Sequence, residues 1–213
     1  RMKKQYHTLI LLSGGLDSTT CLFKLLGQTK DEITTLYVDV SNNSAKSWCE
    51  RLAITRLRDR AEEHIRKISH KHIETPATIN GSVNGGLGQP PLWMLHAAYA
   101  LSGADSKLEK RLCVGYTRGD CAIKRLDEIT QMWTSIWTMI SVAPVPEIYA
   151  PLIRSTKNNS QNFLKKLERD HKGLKIINTL WVCEEPDNVV TSKFVGYKPC
   201  GRCFPCKRAQ KLK

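Results

Sequence analysis

Tyr6-His7-Thr8-Leu9-Ile10-Leu11-Leu12-Ser13-Gly14-Gly15-Leu16-Asp17-Ser18 is the stretch whose reading decides the fold. Its apolar, partly β-branched run from Tyr6 to Leu12 ends in Ser-Gly-Gly, which predicts a buried strand running into a loop. Asp17 to Leu26 then carries apolar spacing suited to a helix, with Gly27 as the stop signal. A Gly-rich turn between strand and helix gathers successive backbone N–H groups at a helix N-terminus, an arrangement that binds phosphate oxygens. Gly14 and Gly15 permit the tight backbone, and Ser13 and Ser18 add hydroxyl donors. Asp17 cannot favour a phosphate directly, so its expected work is helix capping, Mg²⁺ coordination, or both. The loop lacks the Gly-Lys-Ser/Thr of a Walker motif and the three glycines of a dinucleotide fingerprint. A turn with an N-cap is the competing, purely structural reading.

Working outward, Ile33 to Val40 predicts a second strand and Ser44 to about His70 a long amphipathic helix. Trp48, Leu52, Ile54, Leu57, Ala61, Ile65 and Ile68 form that helix's expected inner face. Ile73 to Ile79 reads as a short third strand, and Asn80 to Pro91, rich in Gly, as the longest loop. Pro91 to Leu101 predicts a helix, Arg111 to Tyr116 a strand, and Ile123 to Ile140 a helix rich in Trp, Met and Ile. Trp93, Trp133 and Trp137 fall at helical spacing and read as core rather than as a platform for stacking bases. Glu147 to Ile153 predicts a last short strand and Ser160 to Lys172 a polar helix; periodicity fades beyond about Leu180. Strands alternating with helices imply an α/β fold with a doubly wound, mostly parallel sheet. The expected organisation is an ATP-binding α/β domain over residues 1–180 and a small cysteine-bearing appendage over 181–213.

The 213 residues carry 33 Lys and Arg against 20 Asp and Glu, a formal charge of +13. Arg51 to His72 holds seven bases and three acids, and Lys193 to Lys213 seven bases and no acid. Such density favours an acidic partner, a nucleotide or a nucleic acid, against the plain alternative of a solvated helix face and a frayed tail. No apolar run approaches the ~20 residues needed to span a bilayer. The basic start is followed by an apolar run of only Leu9 to Leu12, too short for a secretory leader, so a cytoplasmic protein without membrane association is expected.

Eight cysteines in such a chain argue against a disulfide framework. Cys21, Cys49, Cys113 and Cys121 are scattered and read as small buried apolar residues, whereas Cys183, Cys200, Cys203 and Cys206 crowd into the last 31 positions. Cys200-x-x-Cys203-x-x-Cys206 with Cys183 upstream supplies four thiolates, and four sulfurs around Zn²⁺ make a closed, structural site. Sulfur transfer or an iron–sulfur cluster is the competing reading.

Ser13-Gly14-Gly15-Leu16-Asp17-Ser18 resembles the signature of the PP-loop ATP pyrophosphatases, of the adenine nucleotide α-hydrolase-like fold. Such enzymes cleave ATP between the α and β phosphates and leave AMP on a carbonyl or carboxyl oxygen, for displacement by an amine, ammonia or sulfur. The resemblance places adenine on the backbone of Leu36, Tyr37 and Val38. With Pro151-Leu152, Thr156-Lys157 and the terminal knuckle, the chain resembles the QueC family of 7-cyano-7-deazaguanine synthases, tightly at residues 9–20 and 200–208. The implied reaction is a ligation: ATP adenylates 7-carboxy-7-deazaguanine, ammonia gives the amide, and a second adenylation gives the nitrile (preQ0).

Several site roles follow from the resemblance. Gly115-Tyr116-Thr117 is similar to the family's glycine-bearing strand end at the substrate cleft, and Arg125-Leu126-Asp127-Glu128 to the start of its next helix. Asp17, Ser18 and Lys157 are the expected catalytic residues; Lys157 would neutralise phosphate charge, against the alternative of a solvated lysine. A homodimer is implied. Two departures stand out: Gln89-Pro90-Pro91-Leu92 replaces a Pro-Gly-Arg-Asn segment, and Tyr37-Val38-Asp39-Val40-Ser41-Asn42-Asn43 replaces a Tyr-x-Gln-Arg-His-like one. Asp39 would either restore lost polar contacts or cap the next helix. QueC-like proteins also occur in phage genomes and antiphage defence, where the same activation would join a deazaguanine to an amine of a protein. A tRNA-thiolating sulfurtransferase is the further alternative, motivated by the charge and the cysteines.

Overall fold

A computed structural model describes residues 4–40, 43–74, 89–105, 107–191 and 194–210. Five strands form one parallel sheet: β1 (Tyr6–Leu11), β2 (Glu32–Asp39), β3 (Ser69–Glu74), β4 (Glu109–Cys113) and β5 (Glu147–Tyr149), in the order β3-β2-β1-β4-β5. β1 is central because its Thr8, Leu9 and Ile10 are buried on both faces, which suits an interior strand of a covered parallel sheet. The helices are α1 (Leu16–Gln28), α2 (Ser44–His64), α3 (Pro90–Ser102), α4 (Leu126–Ile140), α5 (Lys157–Asp170) and the short α6 (Phe204–Gln210). One apolar cluster joins the sheet to α1, α2 and α5 through Leu22, Phe23, Leu57 and Leu164; another joins its opposite face to α3 and α4 through Met94, Leu101, Trp133 and Trp137. The doubly wound expectation is met.

The chain leaves β1 toward β2 and β3 on one side and reaches β4 and β5 on the other. The order therefore switches between β1 and β4, and in open α/β sheets ligands bind beyond the strand ends at such a point.

Some boundaries differ from the sequence reading. The helix expected to reach His70 ends at His64, because Ser69–Glu74 pairs with β2 as an edge strand. That strand was expected at Ile73 to Ile79; positions 75–79, like most of the Asn80 to Pro91 loop, lie outside the described residues. Gly27 does not stop α1, which continues to Gln28. Residues 121–125 form a 3₁₀ turn before α4, and β5 ends at Tyr149, where Pro151 enters a turn. α5 starts at Lys157 because the Thr156 hydroxyl caps it, accepting from Asn159 N–H. Trp133 and Trp137 are buried, their indole N–H groups donating to Pro146 and Ala143 carbonyls, and Trp93 is half-buried.

The tail also holds unforeseen order. β6 (Asp187–Thr191) and β7 (Phe194–Lys198) make an antiparallel hairpin. Trp48, expected inside, is 40% exposed and meets the ring of Tyr197 edge-on at 5.6 Å. The α2 residue thus serves as a seat for the hairpin. No described helix is long and apolar enough to cross a membrane.

Candidate functional site

The loop from Ser13 to Ser18 sits at the switch point, between β1 and α1. Gly14 adopts φ +73°, a left-handed backbone, and a side chain there would also press on Ala53 of α2 at 3.1 Å. Gly15 is the N-cap of α1 and offers no side-chain cap, leaving the first helical N–H groups to a ligand. Ser18 closes the loop: its hydroxyl accepts from Ser13 N–H at 3.3 Å and lies 3.2 Å from the Ser13 hydroxyl. Asp17 lies in the first helical turn, where a carboxylate favours the dipole, and it is not the cap.

Lys157 reaches Asp17 across the cleft from the start of α5. Its ammonium pairs with the Asp17 carboxylate and stands 3.2 Å from Asp120 Oδ1, with only 16% of the side chain exposed. This is a half-buried cation held beside the loop by two carboxylates, unlike a solvated surface lysine. Asp120 in turn fixes the turn after β4, accepting from Thr117 N–H at 2.7 Å and from the Thr117 hydroxyl at 3.0 Å.

Gly115 explains how β4 and the loop come so close. A Cβ there would lie 2.9 Å from Ser18 N and 3.0 Å from Asp17 C, so only glycine lets the strand end lie against the loop backbone. Tyr116 is largely buried and its hydroxyl is pushed up to about 12 by that burial and by Asp120, so it stays protonated.

A cavity of ≈750 Å³ runs from this loop to the cysteines, within the range of small-molecule sites. Ser13, Gly15, Leu16, Asp17, Ser18, Leu36, Tyr37, Val38, Gly115, Tyr116, Lys157, Cys183 and Cys206 all line it. Gly14 contributes from behind, its carbonyl accepting from Trp181 N–H at 3.0 Å. Thr117, fully buried, is committed to Asp120 and is not part of the lining; neither are Cys200 and Cys203, although Pro199, Gly201 and Pro205 between and beside them are. The knuckle therefore walls the cavity. Gln89, of the Gln89-Pro90-Pro91-Leu92 segment singled out in the sequence, and Trp93 border it.

The four cysteine sulfurs lie within 4.8 Å of one another. Cys200 N–H points at Cys183 Sγ (3.3 Å), and the N–H groups of Arg202 and Cys203 point at Cys200 Sγ (3.4 Å each). Backbone donors converge on these sulfurs, and the four-sulfur donor set fits a tetrahedral metal ion with all-sulfur coordination. The described residues thus fit the metal site read from the sequence.

Sequence reasoning missed a polar group on the opposite wall. Glu50 of α2 accepts from the Tyr37 hydroxyl at 2.8 Å, and Lys46, one turn earlier, lies 3.8 Å from its other oxygen while also bonding Glu184. Burial raises the Glu50 carboxyl to about 7, against the opposing pull of Lys46 and Tyr37. The signal was the Lys46–Glu50 pair at i, i+4, which resembles any solvated helix pair until Tyr37 and Glu184 are placed beside it. Asp39 neither caps α2 (Asn43 does) nor lines the cavity. It accepts from the Ser47 hydroxyl at 2.7 Å and faces Arg51, which also holds Glu74, so the convergence of Asp39, His72 and Glu74 is already served by a guanidinium.

No family model matches the chain. It is 27% identical over 219 residues to 7-cyano-7-deazaguanine synthase 2 of Rhodopseudomonas palustris (strain HaA2), covering 93% of this chain and 92% of that one. Among solved structures, the U34-tRNA thiolase NcsA of Methanococcus maripaludis, with its [4Fe-4S] cluster, aligns at TM-score 0.50 and 14% identity. That alignment covers 82% of this chain and 61% of the thiolase, so the chain spans about three-fifths of that relative. At this identity the thiolase shows the shared fold alone.

Proposed function

We propose that this chain, a divergent QueC-like protein of PP-loop fold, is an ATP-dependent ligase that adenylates 7-carboxy-7-deazaguanine and hands the activated carbonyl to ammonia. One observation carries the reading. The Ser13–Ser18 loop, Lys157 and the Gly115-Tyr116 strand end open onto a single cavity large enough for a nucleotide's reacting end and a purine-sized acid.

In this reading the loop N–H groups and the Ser13 and Ser18 hydroxyls hold the departing pyrophosphate, and Leu36 to Val38 line the adenine side. Lys157, positioned by Asp17 and Asp120, offsets the charge that grows on the phosphates. Asp17 and Asp120 supply hard oxygen donors of the kind that hold Mg²⁺, whose contribution is to neutralise phosphate charge. The carboxylate oxygen of the substrate attacks the α-phosphorus and pyrophosphate leaves; the mixed anhydride then makes AMP the leaving group. Positioning and charge neutralisation do most of the work. Cys183, Cys200, Cys203 and Cys206 hold Zn²⁺ in a structural role, stabilising the cavity wall that Gly201 and Pro205 form.

The test is incubation with ATP, Mg²⁺, ammonium and 7-carboxy-7-deazaguanine, followed by mass spectrometry. AMP with the amide or nitrile is the expected result, lost in Asp17→Ala and Ser18→Ala while circular dichroism stays unchanged. AMP formed only with a partner protein present would make a protein amine the nucleophile. Thiolated tRNA instead of either product, or a coloured iron–sulfur protein in place of one zinc per chain, would overturn the reading in favour of sulfur transfer.

A further inference from the structure

Activation of a carboxylate leaves a second chemical problem. The attacking amine must lose a proton as it becomes an amide nitrogen, and a group in the cavity must take it or the step slows. Among the described residues, three carboxylates line the cavity: Asp17, Glu50 and Glu184. Asp17 belongs to the phosphate loop and is paired with Lys157. Glu184 has 52% of its side chain in solvent and is already bonded to Lys46. Glu50 has only 16% exposed and stands on the wall between Tyr37 and the knuckle.

Its surroundings suit a base. One oxygen accepts from the Tyr37 hydroxyl, which orients the carboxylate. The other faces the Lys46 ammonium at 3.8 Å, longer than a direct hydrogen bond, so the chain itself shows that a protonated amine is accommodated beside this oxygen. The groups acting on Glu50 are Tyr37 and Asp39 of β2, Lys46 of its own helix and Glu184 of the knuckle segment. Burial dominates among them and brings the carboxyl to about 7, where a base is half ionised at neutral pH and still strong enough to accept a proton.

We propose that Glu50 accepts the proton lost by the amine when it displaces AMP from the activated carboxylate, an inference that rests on the adenylation reading above. The nitrogen lone pair forms the C–N bond and an N–H proton passes to the Glu50 carboxylate. The C–O bond to AMP breaks, and its electron pair stays on the phosphate oxygen. Protonated Glu50 returns its proton to water.

The experiment uses the full chain with ATP, Mg²⁺ and 7-carboxy-7-deazaguanine, and two readouts. Exchange of labelled pyrophosphate into ATP, without amine, reports activation alone. Hydroxamate formation with hydroxylamine, largely unprotonated at neutral pH, reports the second step without the titration of ammonium. The parent hydroxamate rate should rise with pH through about 7, as the carboxylate forms. Glu50→Gln should keep exchange within a few-fold, lose that limb and fall about 100-fold in hydroxamate formation. Tyr37→Phe, which removes a hydrogen bond that favours the ionised form, should move the limb to higher pH, a shift that a merely structural contact would not produce. Glu50→Gln with the parent limb and rate would overturn the proposal, as would loss of exchange along with hydroxamate, which would give Glu50 to the nucleotide. Absence of exchange in the parent would overturn the adenylation reading itself, and this assignment with it.

Discussion

Glu50→Gln should make the protein more stable at pH 8 and leave it nearly unchanged at pH 4. The carboxyl moves from 4.5 to about 7 on folding, because burial disfavours the charged form more than Lys46 and Tyr37 favour it. A folded-state pKa above the unfolded value means stability that is full below about 4.5 and lost as pH rises through about 7. A shift from 4.5 to about 7, at 1.36 kcal/mol per unit, amounts to about 3 kcal/mol at most above pH 7. Glutamine keeps the shape and an acceptor for Tyr37 but carries no charge to desolvate. In a domain of this size about 3 kcal/mol corresponds to roughly 6–12 °C in Tm. Differential scanning calorimetry of both proteins at pH 4, 6 and 8 (about two units apart, spanning the transition) reads the effect directly. An equal gain at every pH, or a loss at pH 8, would refute the claim that the folded state bears the burden of a buried ionised carboxylate.

Two other substitutions test the packing that builds the site. Gly115→Ala places a methyl against Ser18 N and Asp17 C, backbone atoms that cannot yield as a side chain tip would; a loss of about 1–3 kcal/mol in urea unfolding is expected, with weakened ATP binding by calorimetry. A change below about 0.5 kcal/mol would show that the strand and loop separate freely. Asp31→Ala leaves the Arg111 guanidinium buried between Tyr6 and Tyr149 without the carboxylate it pairs with, and should cost about 3–5 kcal/mol by the same assay; a near-neutral result would mean that water reaches Arg111.

The fold was legible where side chains answer to local rules. Tyr6 to Ser18 announces a buried strand, a glycine loop and a helix start, and the strand–helix alternation then admits few arrangements. β3 was not legible: Ser-His-Lys-His-Ile-Glu has no strand periodicity, and it is held by pairing with β2 and by the Thr35–His70 contact. The β6–β7 hairpin carried a signal, with Asn188 to Thr191 and Phe194 to Tyr197 rich in β-branched and aromatic residues, but the polar residues around it masked the pattern. The same division holds in the cavity. Loop glycines and clustered cysteines are rare enough to read from sequence, whereas Glu50, Lys46 and Asp120 are common surface residues. Their placement depends on residues up to 138 positions away, as between Lys46 and Glu184.

The bond from Trp181 N–H to the Gly14 carbonyl joins two things that seem separate, the docking of the tail and the conformation of the loop proposed above to hold ATP. Thermodynamic reciprocity then sets a condition: if docking of the segment that begins at Trp181 favours nucleotide in the loop, nucleotide in the loop resists the release of that segment by the same factor. Protease cleavage near Glu184 and Glu185, slowed in proportion to ATP occupancy, would be the outward sign that this cavity senses its own contents through its far wall.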